Sequence, residues 1–365
     1  MAGAMQDLFS GFAERDAAAP EAFPAANLAA LFEAGIIAAP FPPSMGGAGM
    51  NCVDTVEAIR AVATASPSTA LIASMPLGLA TALAAPPGLV PETHRTAWLE
   101  QVERIAADYR AARLYAACNS EKGAGGALDS IKTRAAISAT GARLSGDKIL
   151  ATGGRFASTF FSTALVEEGA LPGSGKVEFF LAQTDAPGVT ILNDWDGFGM
   201  RSTESQSVRY DNAAADLLGF PNFILAMQPV HQFYLLFAAV PLGCAAATLA
   251  ALSHPAPSSP ALRLRLSEAQ MRYEALQAYL RETARDWHFQ SSPSYRLRVV
   301  RTKTYVTQEA TKLTAELFAL SGGRHYRRTS PVARNLADSF AGTALRPPLP
   351  LGLDTLVEQF EPFEA

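Results

Sequence analysis

The sequence predicts an α+β protein that is mostly helical, with a helical region, a strand-rich region and a second helical region in chain order. In the first and last parts, apolar residues recur at three- and four-residue spacing, which is the period of a helix with one buried face. Between them stand short runs rich in Val, Ile, Thr and Phe, bounded by Gly, Asp and Asn, and these indicate strands. The predicted domains are residues 1–113, all helical, 114–221, a β-domain, and 222–365, a helical bundle.

In the first domain, breakers separate the predicted helices. The helices are Asn27–Glu33, Cys52–Thr64 and Arg95–Arg113, and the breakers are Pro40–Gly49, Pro67 and Pro86–Gly88. In the second domain, the predicted strands are Thr133–Ala139, Arg143–Ala151, Phe160–Val166, Val177–Gln183 and Ser207–Tyr210, with a hairpin at Gly146 and Asp147.

Long helices with brief connections are predicted in the last domain, which is typical of an antiparallel bundle. They are Ile224–Leu252, Ala261–Phe289, Tyr295–Leu320, Pro331–Phe340 and Leu353–Phe360. The first contains Phe233–Leu252, a charge-free run that is long enough to cross a bilayer. It is rich in Ala and interrupted by Pro241 and Gly243, so we interpret it as a helix buried in the bundle rather than a membrane span.

Composition narrows the function classes. The chain has 365 residues, of which 49% are hydrophobic and 18% charged, so it can bury a large core. Its net charge of −4 comes from interspersed acidic and basic residues, which argues against a nucleic-acid partner. The three cysteines, Cys52, Cys118 and Cys244, are far apart, which indicates neither disulfides nor a metal site. Met1–Ser10 lacks the features of a signal peptide, and we expect a cytoplasmic protein.

Five segments in chain order carry motifs that belong together: Pro43–Gly49, Asn119–Thr133, Gly146–Gly153, Asp194–Thr203 and Ser321–Asp338. These segments resemble motifs of the acyl-CoA dehydrogenase superfamily. Examples are P-S-M-G-G-A-G, G-A-G-G-A-L-D-S-I-K-T and G-F-G-M-R-S-T. The D-W-D-G-F-G sequence, and a Gly146–Gly153 segment without tryptophan, look most like the family's flavin-dependent monooxygenase branch, which includes dibenzothiophene-type monooxygenases. The resemblance implies an N-terminal helical domain, a middle β-barrel-like domain and a C-terminal four-helix bundle. It also implies FAD, or FMN, as cofactor and a homodimer or homotetramer.

The resemblance further implies which residues hold the flavin. Those in the β-domain are Ala117, Asn119, Ser120, Gly125, Gly126, Leu150, Ala151 and Thr152. Gly322 and Gly323 match the segment with which a neighbouring subunit grips FAD in this family. Two departures stand out, since Leu150 replaces the family's flavin-stacking tryptophan and Gly126 replaces a serine that contacts the CoA chain.

The family's catalytic glutamate is missing. Counting from Pro331 puts Arg346 at its usual place, whereas counting from Gly342 puts Ala341 there. A second family location, on the first bundle helix, holds Phe233. His231 is the remaining weak candidate for a catalytic base, because imidazole titrates near neutral pH. The stretch Arg346–Pro350 is predicted to be non-helical and to lead the chain away from the site.

Three hypotheses follow. The first is a flavin oxidoreductase of acyl-CoA dehydrogenase type that acts on an acyl thioester and passes electrons to an electron-transfer flavoprotein. The second is a two-component monooxygenase that receives reduced flavin from a separate flavin reductase and needs no base for an α-proton. The third is a non-catalytic paralogue that retains the fold as a binding subunit. Fold alone does not decide among these reactions.

Overall fold

The computed structural model describes residues 2–128, 130–138 and 141–360, and places a helical domain at the start of the chain. Its helices are α1 (Ala2–Ala18), α2 (Ala25–Glu33), α3 (Cys52–Ala65), α4 (Pro67–Leu83) and α5 (Arg95–Arg110). Their apolar faces share one core, in which Ile59, Trp98 and Ile105 are almost fully buried. The three predicted helices are present, and α1 and α4 are additional to them.

Seven strands follow: β1 (Tyr115–Ala117), β2 (Arg134–Ser138), β3 (Gly141–Ala151), β4 (Thr159–Val166), β5 (Val177–Gln183), β6 (Val189–Ile191) and β7 (Gln206–Leu217). Five of them pair in a ring, in the order β4, β2, β3, β7, β5 and back to β4, so the sheet closes on itself as a barrel. β1 adds to β4 in parallel, and β6 adds to β7. The barrel interior has a core of its own around Phe160, Phe180 and Val208.

Residues 223–358 form a helical bundle. Its helices are α6 (Phe223–Met227), α7 (Val230–Ser253), α8 (Pro260–Arg285), α9 (Pro293–Leu320), α10 (Pro331–Ser339), α11 (Ala341–Ala344) and α12 (Leu349–Glu358). α7 is long and apolar enough to cross a membrane, but 78% of its most apolar stretch is buried inside the protein. It contacts α3, α4, α8, α9 and α10, so it is the central helix that joins the bundle to the first domain. The architecture is the one that the family resemblance implied.

Helix α4 shows why one sequence prediction was wrong. Pro67 does not break the chain but begins this helix, since a proline at the first helical position loses no hydrogen bond there. Ser66 caps the helix by accepting a hydrogen bond from the backbone N–H of Thr69. All residues of α4 are buried, so its sequence has no polar face and no helical period to find.

Two local predictions also need correction. Gly146 is not in a hairpin: it lies within β3, at an irregularity in the pairing of that strand with β7. The Arg346–Pro350 stretch is helical from Leu349 onward, because a proline is tolerated in a first helical turn. It also does not leave the site, since Arg346 lies in the wall of the pocket described next.

Candidate functional site

A cavity of about 440 Å³ lies where the three parts of the chain meet. The first domain contributes Leu71 and Met75 of α4, and the barrel contributes the ends of β1 and β3. The bundle contributes α7, the region around α11, and the segment that follows α11. A cavity of this size at a domain junction, mainly apolar with a few polar groups, is typical of a small-molecule site.

Four residues at the barrel edge, Asn119, Ser120, Leu150 and Thr152, form what we call the strand-end cluster. The Ile149 N–H donates to the Ser120 carbonyl at 2.8 Å, which joins the segment after β1 to the end of β3. Leu150 has a φ of +58°, rare for a branched residue, and its side chain is 46% exposed beside the cavity. The structure therefore brings together residues that the sequence predicted to touch one ligand.

The strand-end cluster rests on a buried ion pair. Lys148 Nζ lies 2.7 Å from Glu121 Oε1, with the two side chains 0% and 3% exposed, and it also donates to the Thr163 carbonyl. Glu121 accepts two further hydrogen bonds, from the backbone N–H groups of Lys132 and Thr133. Although burial by itself raises the pKa of Glu121, these hydrogen bonds bring it below its ordinary value. Glu121 is thus fully engaged and is not free to act as a base.

The motif at residues 194–203 forms another wall. The Trp195 indole N–H donates to the carbonyls of Met200 and Arg201 at 3.2 and 3.1 Å, which holds the ring at the cavity. The Met200 N–H donates to Asp338 Oδ1 on α10 at 2.5 Å. Burial raises the pKa of that carboxyl to about 6. Gly199 approaches α10 so closely that a Cβ would lie 2.3 Å from the Ala337 carbonyl oxygen, so only glycine fits.

Phenylalanines complete the enclosure. Phe161 and Phe179 come from the barrel, Phe233 and Phe237 from α7, and we call these four the aromatic wall. The ring centroids of Phe161 and Phe233 lie 6.1 Å apart, so the rings of barrel and bundle are in contact across the junction. The wall shields this side of the cavity from water.

No Asp, Glu or His occurs among the described residues that line the cavity. The two family locations of the glutamate converge here, since Phe233 and the two alternatives for the usual place, Ala341 and Arg346, all line the cavity. The positions found by counting in the sequence therefore lie at this cavity, and none of them holds a carboxylate. Among the described residues that line the cavity, Arg346 alone carries a permanent charge.

Two other predicted site residues, His231 and Ala151, lie outside the cavity lining. His231 does not line the cavity: its ring packs on Tyr234, and burial lowers the pKa of the imidazole to about 4, so it is neutral at pH 7. Ala117 lines the cavity, but Ala151 is fully buried in the barrel core.

The predicted glycines lie outside the cavity lining. Gly126, with a φ of +87°, packs on Pro348, which a Cβ would meet at 2.6 Å, and Gly125 belongs to the same loop. Gly322 and Gly323 lie in the turn between α9 and α10, where an added Cβ would meet no atom within 4 Å.

Sequence reasoning missed several lining residues. Leu71 and Met75 belong to α4, which was not predicted, although a Ser-Pro pair is a helix-start signal that could have found it. Phe161 and Phe179 belong to predicted strands, but nothing in an alternating pattern distinguishes the side chain that faces a ligand. Phe340 lies between two helices whose junction no sequence motif marks.

Comparison with known proteins places this geometry in a family. Models of the acyl-CoA dehydrogenase N-terminal, middle and C-terminal domains match residues 4–102, 116–213 and 235–344. The chain is 23% identical over 332 residues to the Bacillus subtilis protein named "Probable acyl-CoA dehydrogenase YngJ", covering 87% of this chain and 84% of the relative. It is 29% identical over 214 residues to L-evernosamine nitrososynthase of Micromonospora, covering 58% of this chain and 48% of that protein.

A solved structure has the same fold. The dibenzothiophene monooxygenase TdsC from Paenibacillus sp. A11-2, crystallised with FMN and indole, superposes with a TM-score of 0.79 at 20% identity. The superposition covers 98% of this chain and 95% of that one.

Proposed function

This chain belongs to the acyl-CoA dehydrogenase superfamily, and on that premise we propose that it is a flavin-dependent monooxygenase of the family's oxygen-using branch. It would use reduced flavin and dioxygen to oxidise a small apolar substrate in the cavity. One observation carries the proposal, namely that the described lining contains no carboxylate or imidazole. Removal of an α-proton from an acyl thioester requires a positioned base, whereas oxygen transfer from reduced flavin does not.

The residues at the barrel edge fit a flavin ring. Such a ring needs hydrogen-bond donors for its polar edge and apolar surface for its faces. Ser120 and Thr152 bring hydroxyl groups to the cavity, while Leu150 and Trp195 bring apolar surface. Leu150 is smaller than the family's tryptophan and leaves more room beside the ring. FMN and FAD share this ring, so the fit supports either cofactor.

The protein's side chains would provide the environment for this reaction. Reduced flavin, when bound, supplies two electrons, so that one oxygen atom enters the substrate and the other leaves as water. The aromatic wall covers one side of the cavity with apolar surface, which limits the access of water to reactive oxygen species on that side. Burial raises the pKa of Tyr234, so its phenol stays protonated at neutral pH and can donate a hydrogen bond inside the cavity.

A second candidate function is acyl-CoA dehydrogenation. The similarity to the Bacillus subtilis relative, which extends over 87% of this chain, favours it. It would require a base that the described lining lacks.

Two assays distinguish monooxygenation from acyl-CoA dehydrogenation. With reduced FMN and ¹⁸O₂, we expect label to enter an apolar probe such as indole, whereas anaerobic acyl-CoA thioesters of several chain lengths should not bleach bound flavin. Ala341→Phe, which fills part of the cavity, should abolish labelling, and Ala170→Phe in an exposed barrel loop should not. Bleaching by a thioester would establish the dehydrogenase instead. A chain that binds neither FMN nor FAD would contradict both enzymes and favour the non-catalytic paralogue.

A further inference from the structure

Arg346 forms no ion pair with any residue that the structure describes. Its guanidinium lies in the wall of the cavity, and its recorded hydrogen bond runs from Nη2 to the Asn119 carbonyl at 3.3 Å. The Nε atom is buried and has no hydrogen-bond partner among the described residues. A buried donor without a protein partner requires an explanation, and a bound acceptor group is one.

The surroundings do not neutralise this charge. Glu121 is close enough to act on Arg346 electrostatically, but its two oxygens already bind Lys148 and two backbone N–H groups. Tyr234, which also interacts with Arg346, is a neutral phenol, and the nearby Lys148 is a second cation. The cavity wall therefore carries one positive charge in otherwise apolar surroundings, where it attracts an anion more strongly than it would in water.

The guanidinium is also held in place. Lys303 of α9 is 1% exposed, and its Nζ donates to the carbonyls of Leu345 and Pro347 at 2.7 and 2.5 Å. These are the residues on either side of Arg346, so a buried ammonium fixes the backbone that carries the guanidinium. Lys303 is a positioning residue, and a fixed donor loses less entropy when a ligand binds.

We infer that Arg346 binds the carboxylate of an aromatic carboxylic acid whose ring packs against the aromatic wall. The planar fork of N–H donors in arginine matches the two oxygens of a carboxylate. Phe161, Phe233 and Phe237 provide the apolar contact for a flat ring. As an assignment of substrate class this rests on the proposed function, whereas the binding itself needs no turnover.

The test compares two probes that differ by one carboxylate, indole-3-carboxylate and indole. Calorimetric titration of the oxidised-flavin protein, and of the flavin-free protein, should show at least tenfold tighter binding of the acid. Arg346→Met should remove this preference, and Arg346→Lys should retain part of it, because an ammonium keeps the charge but not the fork. Arg155→Met serves as the matched control, since Arg155 pairs with Glu204 outside the cavity lining.

A second readout separates ligand binding from a structural role. Flavin-free Arg346→Met should be at least as resistant to urea as the wild type, because it buries no unpaired charge. The acid should raise the unfolding midpoint of the wild type and of Arg155→Met, but not that of Arg346→Met. Equal affinity for the two probes in the wild type, or no binding of either, would overturn the inference. So would a loss of FMN affinity in Arg346→Met with the acid preference intact, which would assign the guanidinium to the flavin. Because no turnover is measured, these outcomes are independent of the labelling experiment.

Discussion

Two cations near the cavity, Arg346 and the buried Lys303, donate to carbonyl oxygens and have no carboxylate partner among the described residues. Arg346 donates to Asn119, and Lys303 donates to the carbonyls of Leu345 and Pro347. Lys148 differs, since Glu121 compensates its charge at 2.7 Å. Burying a charge without a counter-charge disfavours its protonated form. Accordingly, burial lowers the pKa of Lys303 to about 7.

This pKa predicts how stability depends on pH. The folded chain loses the Lys303 proton near pH 7, but the unfolded chain retains it up to about pH 10.4. Between these values the unfolded state binds more protons, so the unfolding free energy rises with pH. We expect the free energy of unfolding to rise by about 2 kcal/mol from about pH 7 to about pH 9. In Lys303→Met this rise should be absent. Lys312→Met, on the exposed side of the same helix, should keep it. Urea denaturation followed by tryptophan fluorescence measures both, and a parallel pH profile for the two variants would contradict the prediction.

The site residues that sequence alone could predict are those that belong to motifs. Asn119, Ser120 and Thr152, which were predicted to hold the flavin, line the cavity, and Gly-rich motifs mark the loop and strand end that carry them. The place of Arg346 was found by counting, but its missing partner depends on Glu121 being engaged elsewhere, which only the fold shows. Nothing in the sequence indicates that Lys303 is buried, since a lysine on a long helix is usually exposed.

At the scale of elements, the Glu121–Lys148 pair joins the segment after β1 to strand β3, and thereby fixes both halves of the strand-end cluster. Its side chains are almost completely buried. Removing one partner of such a pair leaves an uncompensated charge, whereas replacing both removes the charges together.

We therefore expect Glu121→Gln to lower the unfolding free energy by about 3 to 5 kcal/mol, and the double variant Glu121→Gln, Lys148→Met to recover part of this loss. Asp147→Asn is the control, because Asp147 is on the same strand and its pair with Arg209 is exposed. That change should cost less than about 1 kcal/mol. Denaturant titration gives all three values. A double variant that is less stable than Glu121→Gln would contradict the charge argument.

Elements with one exposed face were predictable from their period: strand β3 and the amphipathic helices α3 and α9 agree with prediction within two residues. Strands β4 and β5 are buried on both faces, and their short runs rich in Val, Phe and Leu still predicted them within a residue. Prediction failed at α4, which is buried on all sides, and at Gly146, where the strand continues through a glycine irregularity. In both cases tertiary packing, rather than local pattern, determines the conformation.

At the scale of the whole molecule, the turn between α9 and α10 was predicted to hold flavin, but it does not line the cavity of the same chain. Gly322 and Gly323 lie in open space, and the neighbouring Tyr326 is 82% exposed. An exposed aromatic beside an open glycine turn suits contact with another subunit. We expect the chain to form a closed symmetric assembly of at least two copies, in which this turn meets the adenosine half of a neighbour's FAD.

Gly323→Glu tests this arrangement. Gly323 has a φ that any residue adopts, and an added Cβ meets nothing, so the free energy of unfolding should change by less than about 0.5 kcal/mol. The new carboxylate would repel the FAD pyrophosphate, and we expect FAD affinity to fall at least tenfold. FMN lacks the adenosine half, so its affinity should change little. Ala170→Glu adds the same charge in an exposed barrel loop and should change neither affinity. Flavin fluorescence quenching gives the affinities, and light scattering gives the assembly size. If the wild type is a monomer that binds FAD and FMN equally, the turn holds no cofactor and the flavin site is complete within one chain.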